Sequence, residues 1–157
     1  MTYDEATKKL RMFLKDTPYL NVLDADYEVT DDELLEYVKA ALIEINMDFT
    51  PTTYWIIDDV VSEPGQNGQI SWTLVKLGAT LEYLTSNGIL SARNTLTYND
   101  AGGVQVSDMD KWGRYVNYYN VLISKYMNGV TGAKRAWNIG QLMGTSGVRS
   151  PMDTMTW

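Results

Sequence analysis

Apolar positions along the chain recur mostly at steps of three and four, the period of helices with one buried face. Over residues 3–16, Ala6, Leu10, Phe13 and Leu14 share such a face, and Pro18 is expected to close the helix. Thr30 followed by Glu33 reads as a capping box, and Asp31 and Asp32 place acid where the helix dipole favours it. Leu34, Leu35, Val38, Ala41, Leu42 and Ile45 then trace one stripe. That helix should end over 47–50, because Pro51 forces Thr50 toward an extended backbone.

Residues 54–61 form a β-branched and aromatic run broken by Asp58 and Asp59, compatible with a strand or with one further helical turn. Ser62 to Gln69 has the turn chemistry of a loop. From Ile70 to Asn87 the helical period returns through Ile70, Leu74, Leu77, Leu81 and Leu84, with Asn87-Gly88 as the expected stop. Gly78 in mid-helix costs about 1 kcal/mol relative to alanine, which points to close packing by a neighbour.

Leu96-Thr97-Tyr98 and Val104-Gln105-Val106 flank Asn99 to Gly103 and predict a small β-hairpin. Ser107 with Asp110 resembles a second N-terminal cap. The helix after it carries Trp112, Tyr115, Val116, Tyr119, Leu122, Ile123 and Tyr126 and is expected to stop at Asn128-Gly129. Residues 129–157 lack a sustained period yet hold Trp137, Ile139, Leu142, Met143, Val148, Met152, Met155 and Trp157, too many large apolar groups for a solvated linker. The sequence thus predicts a mainly α fold: a bundle of about four helices over 1–128, a small β-hairpin near 96–106, and an extended C-terminal arm over 129–157. A short helix within Lys134–Met143 is compatible with that arm.

Charge sharpens the division. The arm carries Lys134, Arg135 and Arg149 against Asp153, whereas the preceding 128 residues carry ten basic and nineteen acidic groups. Ordering the arm costs more backbone entropy than one-sided burial of its apolar groups returns, so a neighbouring subunit or partner is the expected dock. A C-terminal segment packed back on its own body is the alternative. At about 3.3–3.6 Å per residue, a fully extended arm reaches ~100 Å.

Composition narrows the chemistry. There is no cysteine and no histidine, which removes disulfides, thiol catalysis, and both the commonest general base and the commonest zinc ligand. No apolar run approaches the ~20 residues of a membrane span, and the charged N-terminus lacks the apolar stretch of a signal peptide. A net charge of −7 disfavours nucleic-acid binding. Asp58 and Asp59 could in principle serve as a metal or acid/base pair, but adjacent side chains diverge. The acids Asp24, Asp26, Glu28, Asp31, Asp32, Glu33 and Glu36 lack the glycine and register of a calcium loop. Gly129 to Lys134 has only two residues between its glycines, short of a phosphate loop. The aromatic positions of 112–126 fit core or subunit packing better than a base-stacking platform. No cofactor is implied, and the expectation is a non-enzymatic structural or binding protein.

The capped helix from Thr30, the hairpin around TYNDAGGVQVSD (97–108), the helix DKWGRYVNYYNVLISKY (110–126) and the tail ending GVRSPMDTMTW together resemble the head–tail adaptor (connector or neck) proteins of tailed bacteriophages. The resemblance covers most of the chain as architecture and carries no signature motif. It implies a virion protein, made in the host cytoplasm and placed at the head–tail junction as a homo-oligomeric ring of about twelve copies beneath the portal protein. Such a ring contacts portal and neighbouring tail proteins and leaves a channel through which DNA passes without specific binding. In that family the C-terminal arm docks on portal or on adjacent subunits. Here the implied anchors are Lys134, Arg135, Trp137, Arg149, Met152, Met155 and Trp157. Another virion component, such as a tail-completion or minor capsid protein, would use the same logic. A small enzyme built on Asp58, Asp59 and Tyr54 is the alternative from a different class.

Overall fold

A computed structural model describes residues 1–18, 27, 29–48, 50–62, 69–93, 98–99, 105–106 and 109–145. The described residues are mainly helical. Helices α1 (Tyr3–Leu14), α2 (Asp31–Met47), α3 (Trp72–Arg93) and α4 (Met109–Thr145) are accompanied by two small sheets. Strands β1 (Val60–Val61) and β2 (Ile70–Ser71) pair in parallel, Val60 opposite Ile70. Strands β3 (Tyr98–Asn99) and β4 (Gln105–Val106) pair antiparallel, Tyr98 opposite Val106, as the hairpin pattern predicts.

Both N-terminal helices start on reciprocal caps. Thr2 Oγ1 accepts from Glu5 N and Glu5 Oε2 from Thr2 N. The expected box at Thr30 forms in the same way, with Thr30 Oγ1 accepting from Glu33 N and Glu33 Oε2 from Thr30 N. Helix α1 ends earlier than Pro18 implies: Lys15 takes a left-handed backbone with φ 57° and its N–H returns to the Arg11 carbonyl. Helix α2 ends at Met47, and the extended Asp48 donates its N–H to the Glu44 carbonyl.

Arg11 joins α1 to the chain entering α2. Its guanidinium donates to Asp16 Oδ2 at 2.5 Å, to Asp31 Oδ1 at 2.7 Å and to the Val29 carbonyl at 2.8 Å. It also lies 4.2 Å from the centre of the Tyr27 ring. Asp16 in turn accepts from Val29 N. Asp16 is itself buried, so the pair is shielded from the screening that makes surface ion pairs weak.

The stripe on α2 buries as expected: Leu34, Val38, Ala41, Leu42 and Ile45 enter the core, with Leu35 half-buried. In α3 the inward positions are Val75, Ala79, Leu81 and Leu84, while Leu74 and Leu77 pack at the margin. Ile70 belongs to β2 rather than to this helix, and the helix begins at Trp72. It also continues through Asn87-Gly88 to Arg93. A glycine there permits a left-handed stop and does not impose one. The ambiguous run is neither strand nor helix throughout. Its side chains alternate, with Thr53, Trp55 and Ile57 buried and Tyr54 and Ile56 exposed, before a single 3₁₀ turn over Ile57–Asp59 leads into β1.

Helix α4 is the largest departure. It passes through Asn128-Gly129 without a break and ends at Thr145, about 55 Å long at 1.5 Å per residue. Its body-facing stripe is Tyr119, Leu122, Ile123, Tyr126, Val130, Ala133, Lys134 and Trp137, whereas Val116 is exposed. Burial of Val130 and of the residues after it outweighs the local stop signal. Gly129 serves as a close approach instead, since a Cβ there would overlap Leu74 of α3. Residues 129–145 of the expected arm are therefore helix, and 146–157 lie outside the described residues, as do most of the 62–69 loop, Leu96, Thr97, Val104 and Ser107. The side chains of Trp112 and Tyr115 lie outside them too.

Three helices meet at Gly78. A Cβ there would stand 3.0 Å from Ala41 Cβ on α2 and 3.1 Å from the Tyr126 ring on α4, which confirms the close packing expected of this glycine. Gly78→Ala gains about 1 kcal/mol of helix propensity but over-packs a site where such insertions cost about 1–3 kcal/mol. The expected net effect is a loss of about 1 kcal/mol by urea denaturation. In a double-mutant cycle with Ala41→Gly, the pair should lose less than the sum of the single changes.

Candidate functional site

Helix α4 crosses the C-terminal end of α2, and Lys134 and Trp137, two of the expected arm anchors, meet the body there. Helix ends leave carbonyls without intrahelical donors, and a cation placed on them is favoured by the helix dipole. Lys134 fills that role. It is fully buried, and its Nζ donates to the Asn46 carbonyl at 3.1 Å and to the Asp48 carbonyl. Burial pushes its ammonium below the ordinary lysine value, and the Asp48 charge opposes the shift in part.

Asn46 organises the same corner. Its Nδ2 donates to the Trp55 carbonyl at 2.9 Å, while its Oδ1 accepts from Thr53 Oγ1 and Trp55 N, each at 2.9 Å. The Asn46 carbonyl also accepts from Thr53 N. These bonds fold the segment after α2 back along the helix and carry Trp55 inward. Trp55 meets Trp137 edge to face, with ring centres 6.5 Å apart and planes at 81°. Aromatic pairs of this geometry add about 0.5–1.5 kcal/mol beyond their area.

Two residues earlier on α2, Glu44 Oε2 accepts from the Tyr126 hydroxyl at 3.1 Å. Burial holds the Glu44 carboxyl above its ordinary range, against the opposing pull of that hydrogen bond, and Asp48 and Glu82 add to the rise. Burial, then the Glu44 charge, raises the Tyr126 hydroxyl well above its ordinary value, so it stays a donor.

The seven expected anchors thus divide. Lys134 and Trp137 are structural members of the body, not groups held out for a partner; the backbone carbonyls of α2 and the Trp55 ring are what they contact. Arg135, next to Lys134, points outward and is exposed. Arg149, Met152, Met155 and Trp157 lie outside the described residues. No known family model, curated relative or solved structure matches this chain.

The other candidates resolve locally. Asp59 Oδ2 accepts from Ile56 N at 3.0 Å and caps the 3₁₀ turn, Asp58 is exposed, and Tyr54 stands 88% exposed beside them. They do not converge. Of the acids over 24–36, Asp31 pairs with Arg11, Glu33 caps α2 and Glu36 pairs with Lys39, while Asp24, Asp26 and Glu28 lie outside the described residues. Gly129 to Lys134 sits in mid-helix, with no free backbone amides to cradle a phosphate. Among the described residues there is no cluster of three potential metal ligands, and no helix is long and apolar enough to cross a membrane. Sequence reasoning missed Asn46 and Arg11, single polar residues whose importance depends on distant partners.

Two substitutions test this corner. Lys134→Ala should cost about 2–3 kcal/mol in urea denaturation, from the Asp48 carbonyl losing this donor, the Asn46 carbonyl keeping only Thr53 N, and a lost aliphatic stem. Lys134→Met keeps the stem and should cost less. Because the folded state raises the Glu44 pKa, its contribution to stability is full below the unfolded value and is lost as pH rises through the folded one. Glu44→Gln should therefore be more stable than the parent at neutral pH, with the gap closing on acidification toward the ordinary carboxylate range, as followed by thermal melts across pH.

Proposed function

We propose that this chain is a virion structural protein, a head–tail connector whose copies form a ring beneath the portal of a tailed phage. One observation carries the reading: a helix about 55 Å long gives one face to its own body, while Tyr118, Val121, Met127 and Ile139 stand exposed elsewhere around it. A helix this long that its own body covers on one face offers the rest of its length to neighbouring subunits. The small hairpin directly before that helix and the capped helix at Thr30 agree with the same architecture.

In this reading the helical body, with its acidic excess, lines or borders a path that phosphate backbones traverse without being gripped. The docking segment is shorter than residues 129–157, because Lys134 and Trp137 are committed to the body. Attachment to portal falls to residues 146–157, with Arg149, Met152, Met155 and Trp157 as anchors and Arg135 as an outward cation at the base. Each segment binds weakly, and a ring of them binds together through effective concentration.

Removal of residues 146–157 should leave the urea midpoint unchanged and abolish co-sedimentation with portal rings. Trp157→Ala should weaken attachment by about 2 kcal/mol per segment, the scale of an aromatic hot spot. Undiminished attachment of the shortened chain would overturn the assignment. Electron microscopy of portal rings mixed with the full chain should show an added ring coaxial with the portal.

A further inference from the structure

Helices α2 and α4 have opposite electrostatic character. Helix α2 holds Asp31, Asp32, Glu33, Glu36 and Glu44 against Lys39 alone. Helix α4 holds Lys111, Arg114, Lys125, Lys134 and Arg135 against Asp110 alone. At 3.6 residues per turn, Asp32, Glu36, Ile43 and Met47 fall within one narrow stripe on the side of α2 opposite its buried stripe. Ile43 is 59% and Met47 72% exposed. Val121, Lys125, Arg135 and Ile139 fall within one stripe opposite the body-facing side of α4, with Val121 55% and Ile139 57% exposed. Lys39, which pairs with Glu36 at 2.8 Å, lies on the flank of the first stripe and leaves its net charge negative.

We propose that the α2 stripe of one copy seats against the α4 stripe of the next, acid on base and apolar on apolar. The contact deepens the ring reading and rests on it, since it names the surfaces through which copies join. On α2 the acids precede the apolar pair, whereas on α4 Lys125 and Arg135 lie between Val121 and Ile139, so Lys125 is the cation that can meet the acids while Ile139 meets Met47, with Arg135 beside Ile43. Glu36 to Met47 and Lys125 to Ile139 are separated by eleven and fourteen residues, or about 17 and 21 Å along their axes. A match of α4 with α4 would set Lys125 and Arg135 against like charges, and α2 with α2 would set Asp32 and Glu36 against theirs. The complementary pairing is therefore head-to-tail. Helices α2, α3 and α4 meet at Gly78, so the outward stripes of α2 and α4 face different directions. A head-to-tail contact between surfaces so disposed propagates from copy to copy and closes into a ring when its rotation allows.

The test uses the full chain in low salt, followed by sedimentation velocity up to about 1 mM protein, a range that detects contacts of millimolar affinity. The parent chain should form species larger than a monomer that dissociate as salt is raised. Asp32→Lys/Glu36→Lys and Lys125→Glu/Arg135→Glu should each remain monomeric, because each presents like charge on both stripes. An equimolar mixture of the two should regain assembly, since every contact is again complementary. The milder Asp32→Asn/Glu36→Gln, which leaves the Thr30 cap intact, should weaken association about three- to tenfold. Any of three results overturns the contact: a parent that stays monomeric, charge-reversed variants that assemble like the parent, or a neutral pair without effect. Attachment of the parent to portal rings is read separately, so loss of this contact and loss of the connector reading are distinguishable.

Discussion

The distance of closest approach at Gly78 governs this structure. With no Cβ on α3 at that point, α2 and α4 both crowd the place a Cβ would take, Ala41 on α2 and the Tyr126 ring on α4. A side chain there would require Ala41 or the Tyr126 ring to give way. The proximity of the three helices is what lets the Tyr126 hydroxyl reach Glu44 and, two turns further along α4, Lys134 reach the last carbonyls of α2. The polar contacts follow from the steric one, because hydrogen bonds of about 3 Å leave no slack for a bundle that is even slightly wider.

On that frame two half-buried polar side chains act as fasteners between elements distant in sequence. Arg11 holds Asp16, Val29 and Asp31 together, and Asn46 holds Thr53 and Trp55. Each satisfies backbone groups that would otherwise be costly to bury, and neither could be replaced by an apolar group of similar size without stranding its partners. The large apolar cluster supplies most of the driving force, while these side chains select one arrangement of the segments between helices.

The periodic parts of the fold were legible. The Thr30 cap, the stripe from Leu34 to Ile45, the hairpin between Tyr98 and Val106 and the crowding at Gly78 all follow from local spacing and side-chain size. Helix ends were not. Asn87-Gly88 and Asn128-Gly129 both have the composition of a stop, yet both are traversed, the second because Val130, Lys134 and Trp137 find burial only if the helix continues. A lysine in a Gly-rich stretch has no local mark that distinguishes a solvated charge from a cap on a helix eighty-eight residues earlier. The alternate burial over Thr53 to Ile57 was not legible, because the exposed Tyr54 and Ile56 are as large and apolar as the buried Trp55 and Ile57.

The continuity of α4 has a mechanical consequence. A pull on the C-terminal end of α4 travels along hydrogen-bonded backbone to Trp137 and Lys134, where it is shared with the Trp55 ring and the end of α2. Had the helix broken at Asn128-Gly129, the same tension would have been absorbed by an extending linker. As built, the load enters the body where Asn46 and Lys134 fasten it, and traction at that end is felt by α2 rather than dissipated in slack.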